Sequence, residues 1–296
     1  MLPRLTVLCL LALPAACATT SAARPGESAA DAAERAYQNA MTLYNDESWP
    51  EAAEAFRAVQ RSHGTSRQAT LAELRLADLE FKQERYTEAL SGFRTWLRYH
   101  TSHAEAPYAR FMIAQCHVEQ MPEDWFLTPP SWERDLSAAH DAETALARFL
   151  RDHGDSTHAA EARRIHDRVR ETLVRHEIYV ANFYGSRDHH AAAASRLRGV
   201  LSRYRGSVLE PLALLRLGET WLRMNRAAEA RGAFDQLRER FPRSAEGEAA
   251  ARHLTRLGAG PSTPVQLDDA PAADDTGTTE DVTPSARPAE AAPPRQ

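Results

Sequence analysis

The chain has 296 residues, of which 43% are hydrophobic and 26% charged, and its formal net charge is -5. Seven acids and two arginines from Ala259 onward hold that whole excess, so the remainder balances at 34 basic and 34 acidic residues. A balanced body lacks the one-sided basic surplus that a nucleic-acid footprint needs, which argues against nucleic acid as a partner.

Met1 to Ala16 carries one positive charge at Arg4, an apolar run from Leu5 to Leu13, then small residues ahead of Cys17. That run is too short to span a bilayer and has the length of a secretory h-region, so residues 1–16 are expected to be an export signal. Two processing routes are open. Ala15-Ala16-Cys17 after a leucine-rich core looks like a bacterial lipobox, which would lipidate Cys17, although Pro14 stands where that pattern prefers Leu. Alternatively, Ala16-Cys17-Ala18 is an A-x-A cleavage site that releases a soluble periplasmic protein. Cys116, in the apolar run Phe111 to Ala114, then remains the one thiol with nothing to pair with, and a buried small hydrophobe is its expected role. Residues 17–30 are small and polar with Pro25-Gly26, a flexible tether.

From Asp31 the chain repeats itself. Phe56, Phe93, Leu146, Leu197 and Phe234 each open the last turns of a helix, and Ser66, Ser102, Ser156, Ser207 and Ser244 follow nine or ten residues later. Two apolar-periodic segments per unit, at a period above 30 residues, are the signature of stacked helical hairpins. Repeat one is expected to start at Asp31 as N-cap, with Ala36, Ala40, Leu43 and Tyr44 on its first helix and Pro50 opening its second. Repeat two follows the same plan, and the intervals from Phe56 to Phe93 and from Leu197 to Phe234 are both 37 residues.

The middle intervals are longer. Phe93 to Leu146 is 53, and the 16 surplus residues lie in Met121 to Leu136, where three prolines and Trp125-Phe126 predict an inserted loop. Leu146 to Leu197 is 51, and here nothing between Ala159 and Tyr184 is Gly or Pro. Ile165, Val169, Leu173, Val180 and Tyr184 continue one stripe, so this surplus is predicted to lengthen a helix by about 3.9 turns and to join two lobes rigidly. Repeat five opens at Pro211 and stops at Pro242. A last helix, Glu246 to Leu257, caps the array. The predicted fold is all-α, a tetratricopeptide-like helical-hairpin solenoid of about five repeats plus that cap. Its lobes are residues 31–157 (repeats one to three) and 158–258 (repeats four, five and cap). Residues 259–296, rich in Pro, Ala and Asp, cannot bury enough apolar area to order themselves.

Catalytic chemistry finds little support. Twelve histidines include no HExxH, and His189-His190 lies in a turn where adjacent side chains cannot share a helix face. No glycine-rich phosphate loop, G-x-S-x-G or paired-cysteine spacing occurs, so no catalytic residue, metal or cofactor is assigned. Binding is the usual task of such arrays. Tyr37, Tyr44, Arg75, Tyr108 and Arg110 lie on the first helices of repeats one to three, the helices that line the concave face in tetratricopeptide arrays.

Exported Cys17, five hairpins, the DWFLTPPSWERD insertion and the stretch HEIYVANFYGSRDHHAAAASRLRGVLSRYRGS from His176 to Ser207 together resemble the BamD family, outer-membrane lipoproteins of the β-barrel assembly machinery. The similarity runs from about Ala30 to Leu257, and Arg134-Asp135 matches a recurrent pair of that family. The resemblance implies a noncatalytic scaffold, lipid-anchored at the periplasmic face of the outer membrane. Its partners would be a BamA-like POTRA barrel protein, other Bam lipoproteins and unfolded outer-membrane proteins. By the same resemblance Arg196 and Arg187 would meet the POTRA partner, Tyr44, Arg75, Tyr108 and Arg110 would form the precursor groove, and Trp125, Phe126, Arg134 and Asp135 would carry the insertion loop's role. The alternative is a CpoB-like periplasmic adaptor that coordinates peptidoglycan synthesis with envelope constriction.

Overall fold

The computed structural model describes residues 27–122 and 130–266, and all regular structure among them is helical. Cys17, Trp125 and Phe126 lie outside the described residues. In chain order the helices are α1 (Ala29–Asn45), α2 (Trp49–Ser62), α3 (Arg67–Lys82), α4 (Tyr86–Tyr99), α5 (Ala106–Glu119), α6 (Ser137–Asp152), α7 (Ala159–Gly185), α8 (His190–Arg203), α9 (Glu210–Arg223), α10 (Ala227–Arg240) and α11 (Ala245–Leu257), with a 3-10 turn at Ser131–Glu133 before α6. No described helix is long and apolar enough to cross a membrane.

The repeat seen in the sequence is the repeat of the structure. Phe56, Phe93, Leu146 and Phe234 are fully buried and Leu197 nearly so, because each sits where a second helix of a hairpin faces the helices before and after it. The turns inside the hairpins repeat as well. Glu47, Glu84, Asp188 and Asn225 adopt positive φ of 57°, 60°, 61° and 57°. Each ends its helix in the same way: Ser48 N–H reaches Leu43 O at 3.0 Å and Arg85 N–H reaches Glu80 O at 2.9 Å, and His189 to Tyr184 and Arg226 to Trp221 repeat the pattern. These six-to-one bonds satisfy orphan helix carbonyls, which offsets the left-handed backbone at a non-glycine residue. The third hairpin has the insertion in place of that turn.

The serines between units are turn and cap residues. Ser66 Oγ accepts from Ala69 N at 3.1 Å and Ser244 Oγ from Gly247 N at 2.9 Å, each opening the next helix. Ser66→Ala is expected to lower stability by about 1 kcal/mol, the usual value of such a cap, read as a shift of the urea midpoint.

Three sequence expectations are corrected. Helix α1 begins at Ala29 rather than after Asp31: Ser28 is the N-cap, its Oγ accepting from Asp31 N, so the tether is shorter than residues 17–30. Asp31 instead sits three residues inside, its carboxylate accepting from the Ser28 hydroxyl at 2.6 Å, so that side chain meets side chain at the cap. On α7 the buried line leaves the predicted stripe after Leu173 and runs through Val174, Ile178 and Ala181, while Val180 and Tyr184 are only partly buried. Over 27 residues a 3.6-residue helix drifts off any fixed series of positions. Third, the segment from Ala259 holds a place through Gln266, because it packs on α10 and needs no core of its own.

The chain divides into two compact units, Met1–Gln120 with Thr144–Ala162, and Met121–Glu143 with Arg163–Gln296. In the first, Trp96, Phe56, Phe93 and Phe149 are the largest fully buried side chains, and Tyr37 packs on Phe56 with ring centroids 5.7 Å apart. Cys116 is buried there, and burial pushes its thiol up to about 12. In the second, Phe234 stacks flat on His253 at 4.7 Å, fixing α11 against α10.

Candidate functional site

In the first unit the chemistry gathers on one residue that the sequence reading did not single out. Asp78 of α3 is 1% exposed. Its Oδ2 lies 2.5 Å from Arg75 Nη1 one turn back, and its Oδ1 accepts from the Tyr108 hydroxyl of α5 at 2.7 Å. The Arg75 guanidinium also lies 5.4 Å from the centre of the Tyr108 ring. Tyr44 of α1 packs on Trp49 and Phe56 beside this group. Arg75, Tyr108 and Tyr44 therefore come together, through a shared carboxylate and through packing. Arg110 is two residues beyond Tyr108 on α5, about 200° round the helix, and no described carboxylate pairs with it.

Burial pushes Tyr44 up to about 12 and moves Tyr108 upward, with the Asp78 charge adding to both. Burial works against the Arg75 charge, but the Asp78 carboxylate outweighs it and the guanidinium stays protonated. Burial also pushes Asp78 up, while Arg75 and Tyr108 hold it back in part. Arg75 Nε is buried with no hydrogen-bond partner among the described residues. The cluster is thus a nearly closed ion pair with an aromatic lid and one donor to spare. The signal for Asp78 was its position three residues after Arg75, but such spacing is common on solvated helix faces and says nothing of burial.

The second unit has a parallel arrangement on α7 and α8. Glu177, with its side chain 8% exposed, receives Arg196 Nη1 at 3.4 Å and Arg203 Nη2 at 3.1 Å. Arg196 and Arg203 are seven residues apart, two turns of α8, so both reach the same carboxylate. Arg196 keeps its side chain 35% exposed. Arg187, in the turn before α8, lies over the Phe183 ring with 3.6 Å from guanidinium carbon to ring centre. Glu177 and Arg203 were missed by sequence reasoning, because the two arginines stand 19 and 26 residues from Glu177, on a different helix.

The described part of the insertion is tied to α7. His176 Nδ1 donates to Trp132 O at 2.5 Å, and Arg175 lies 5.5 Å from the Trp132 ring centre. Asp135 accepts from Ser137 N at 2.9 Å, which opens α6, and that bond holds its carboxyl below the usual range. Arg134 lies beside it between the 3-10 turn and α6. His189 and His190 stand at the start of α8, and the described residues contain no group of three or more His, Cys, Asp or Glu able to hold a metal.

The sequence matches the model of a family, YfiO, described as "Outer membrane lipoprotein", over residues 29–237. The chain belongs to that family. Curated relatives carry the name outer membrane protein assembly factor BamD. The one from Caulobacter vibrioides is 27% identical over 187 residues, covering 62% of this chain and 59% of that protein. The one from Neisseria gonorrhoeae is 25% identical over 251 residues, covering 81% and 91%. The match thus spans about three fifths of the Caulobacter relative. Among solved structures, a thermophilic TPR protein of Thermus thermophilus is 16% identical with a TM-score of 0.35, covering 75% of this chain and 99% of that one. Family membership agrees with the resemblance carried by the insertion and by His176 to Ser207. Both stretches lie inside the matched residues, and α11 and the segment after it lie outside them.

Proposed function

We propose that this chain is a noncatalytic scaffold of outer-membrane β-barrel assembly, lipid-anchored through Cys17 at the periplasmic face. In this reading it binds a BamA-like POTRA protein on its second unit and unfolded outer-membrane proteins on its first, within a complex that includes other Bam lipoproteins. The observation that carries the reading is the family match over residues 29–237, joined to the name that the relatives share. The insertion loop, with Trp125, Phe126, Arg134 and Asp135, completes the partner-facing part of the proposal.

The geometry says how α8 would act. Glu177 holds Arg196 and Arg203 in place from the buried side, so Arg196 offers a guanidinium whose rotamer is already restricted. An acidic residue on a partner then needs to order less of the arginine, which lowers the entropy cost of docking. Arg187, held over Phe183, adds a second fixed cation nearby in the chain. On the first unit Tyr44, Arg75, Tyr108 and Arg110, each partly exposed, would offer aromatic and cationic surface to an extended chain.

Arg196→Glu tests the docking. Charge reversal at an interface pair is expected to weaken binding to the POTRA domains of the cognate partner by about 100-fold, about 2.7 kcal/mol. It should also lower the melting temperature, because it sets a second carboxylate beside the buried Glu177, whereas Arg196→Gln, which leaves Glu177 paired with Arg203, should weaken binding with little change in melting temperature. Unchanged affinity across a salt titration would remove Arg196 from the interface. Co-purification from detergent-solubilised membranes checks the wider reading: a POTRA-bearing barrel protein should come with the chain, and recovery of peptidoglycan-synthesis proteins in its place would overturn it. Incorporation of a labelled lipid precursor at Cys17 decides the anchor.

A further inference from the structure

Beyond the residues that the family model covers, the chain does something the composition did not announce. Helix α11 ends at Leu257, and Gly258, with φ of 64°, turns the backbone. Arg231 of α10 reaches across to that turn, its Nη1 donating to Gly258 O at 2.5 Å and its Nη2 to Leu257 O at 3.2 Å. These are carbonyls at the negative end of α11, where a cation is favoured. The chain then runs back along α10. Ser262 Oγ donates to Asp235 Oδ2 at 3.1 Å, and Thr263 N donates to Ala228 O at 2.9 Å, using that helical carbonyl's second lone pair.

The seat for this strap is Gly232. A Cβ at that position would stand 1.7 Å from Thr263 O and 2.6 Å from its carbonyl carbon, so no other residue lets the strap lie there. A glycine inside a helix costs about 1 kcal/mol relative to alanine, and the close approach of the strap accounts for it.

Pro264 and Gln266 at the end of the strap line a hollow with Ala194 and Arg198 of α8 and with Trp221 and Met224 at the end of α9. Arg226 at the rim is already paired with Glu229 at 2.6 Å. Arg198 has no ion pair among the described residues.

We propose that the trough along α10 to α8 is a docking groove for an extended chain, and that this chain's own segment Gly258–Gln266, seated on Gly232, is its occupant. Of the segment that the composition describes as unable to order itself, Ala259–Gln266 is held by a surface made for it. The groove is self-filled and closed to other extended chains while the strap is seated.

Hydrogen exchange of the full-length protein, followed by mass spectrometry on the peptide containing residues 259–266, tests this. In the unaltered chain the Thr263 amide should exchange at least about 10-fold more slowly than in the free peptide. Gly232→Ala should bring exchange to the free-peptide rate while leaving the helical circular dichroism intact, since alanine favours the α10 helix. Thr263→Pro, which removes the donated N–H from a residue outside every helix, should do the same to the flanking amides. Free-peptide exchange in the unaltered chain, or equal protection in Gly232→Ala and Thr263→Pro, overturns the seated strap.

Discussion

Asp78→Ala is expected to cost about 3–5 kcal/mol of folding free energy, the range for removing one member of a buried ion pair. The reason is what the substitution leaves behind. Arg75 would keep a protonated guanidinium in a site where its side chain is 22% exposed and its Nε already lacks a partner. Tyr108 would lose the acceptor that its buried hydroxyl now meets at 2.7 Å. Asp78→Asn should fall between, because the amide oxygen can still accept from Tyr108 but the charge is gone. Replacing both partners, Arg75→Met with Asp78→Leu, should recover the part of the loss that comes from the uncompensated charge, while the Tyr108 hydroxyl still lacks its acceptor. Equilibrium urea denaturation of the three variants beside the unaltered protein measures this, and a neutral Asp78→Ala would mean that the pair is not buried in solution.

The second large effect belongs to Trp96. It is fully buried, its Nε1 donates to Thr70 O at 2.8 Å, and its ring meets His100 at 4.9 Å and His103 at 5.2 Å. Trp96 joins α4 to α3 and to the turn that leads into α5, so its removal opens a cavity at a junction of three elements. Trp96→Ala should cost about 3–5 kcal/mol, and Trp96→Phe clearly less, because the ring volume is mostly kept while the indole N–H is lost. Thermal unfolding with intrinsic fluorescence reads both. Equal stability of Trp96→Ala and the unaltered protein would contradict the packing.

These two sites bear on the proposed function. The groove residues Tyr44, Arg75 and Tyr108 are as much part of the first unit's packing as of any surface it offers. A substitution at Arg75 therefore changes stability and binding together, and only a comparison with the Arg75→Met, Asp78→Leu pair separates them. At α8 the two roles are easier to part. Arg196 is partly open to solvent and shares its carboxylate with Arg203, so its loss leaves Glu177 still paired.

The periodic part of the molecule was legible in the chain alone. The 37-residue interval placed Phe56, Phe93, Leu197 and Phe234 in the core and the helix ends within a residue or two, because each depends on helix pitch and turn chemistry that neighbouring residues dictate. The surplus residues between Leu146 and Leu197 announced a helix with no Gly or Pro to break it, and α7 is that helix. The resemblance in His176 to Ser207 pointed to the family for the same reason: it is a local pattern.

The partners of the polar groups came from the tertiary structure. Nothing in the one-dimensional pattern separates Asp78 from the many carboxylates on solvated faces, because its burial comes from the stacking of α1, α3 and α5. Glu177 was legible as an acid on a long helix, yet what makes it matter is α8 returning Arg196 and Arg203 to it. Gly232 looks like a weak point in a helix until the strap is seen lying on it. Helix periodicity is set within a few residues, whereas a buried charge or a bare glycine acquires its meaning from chain segments that arrive from tens of residues away.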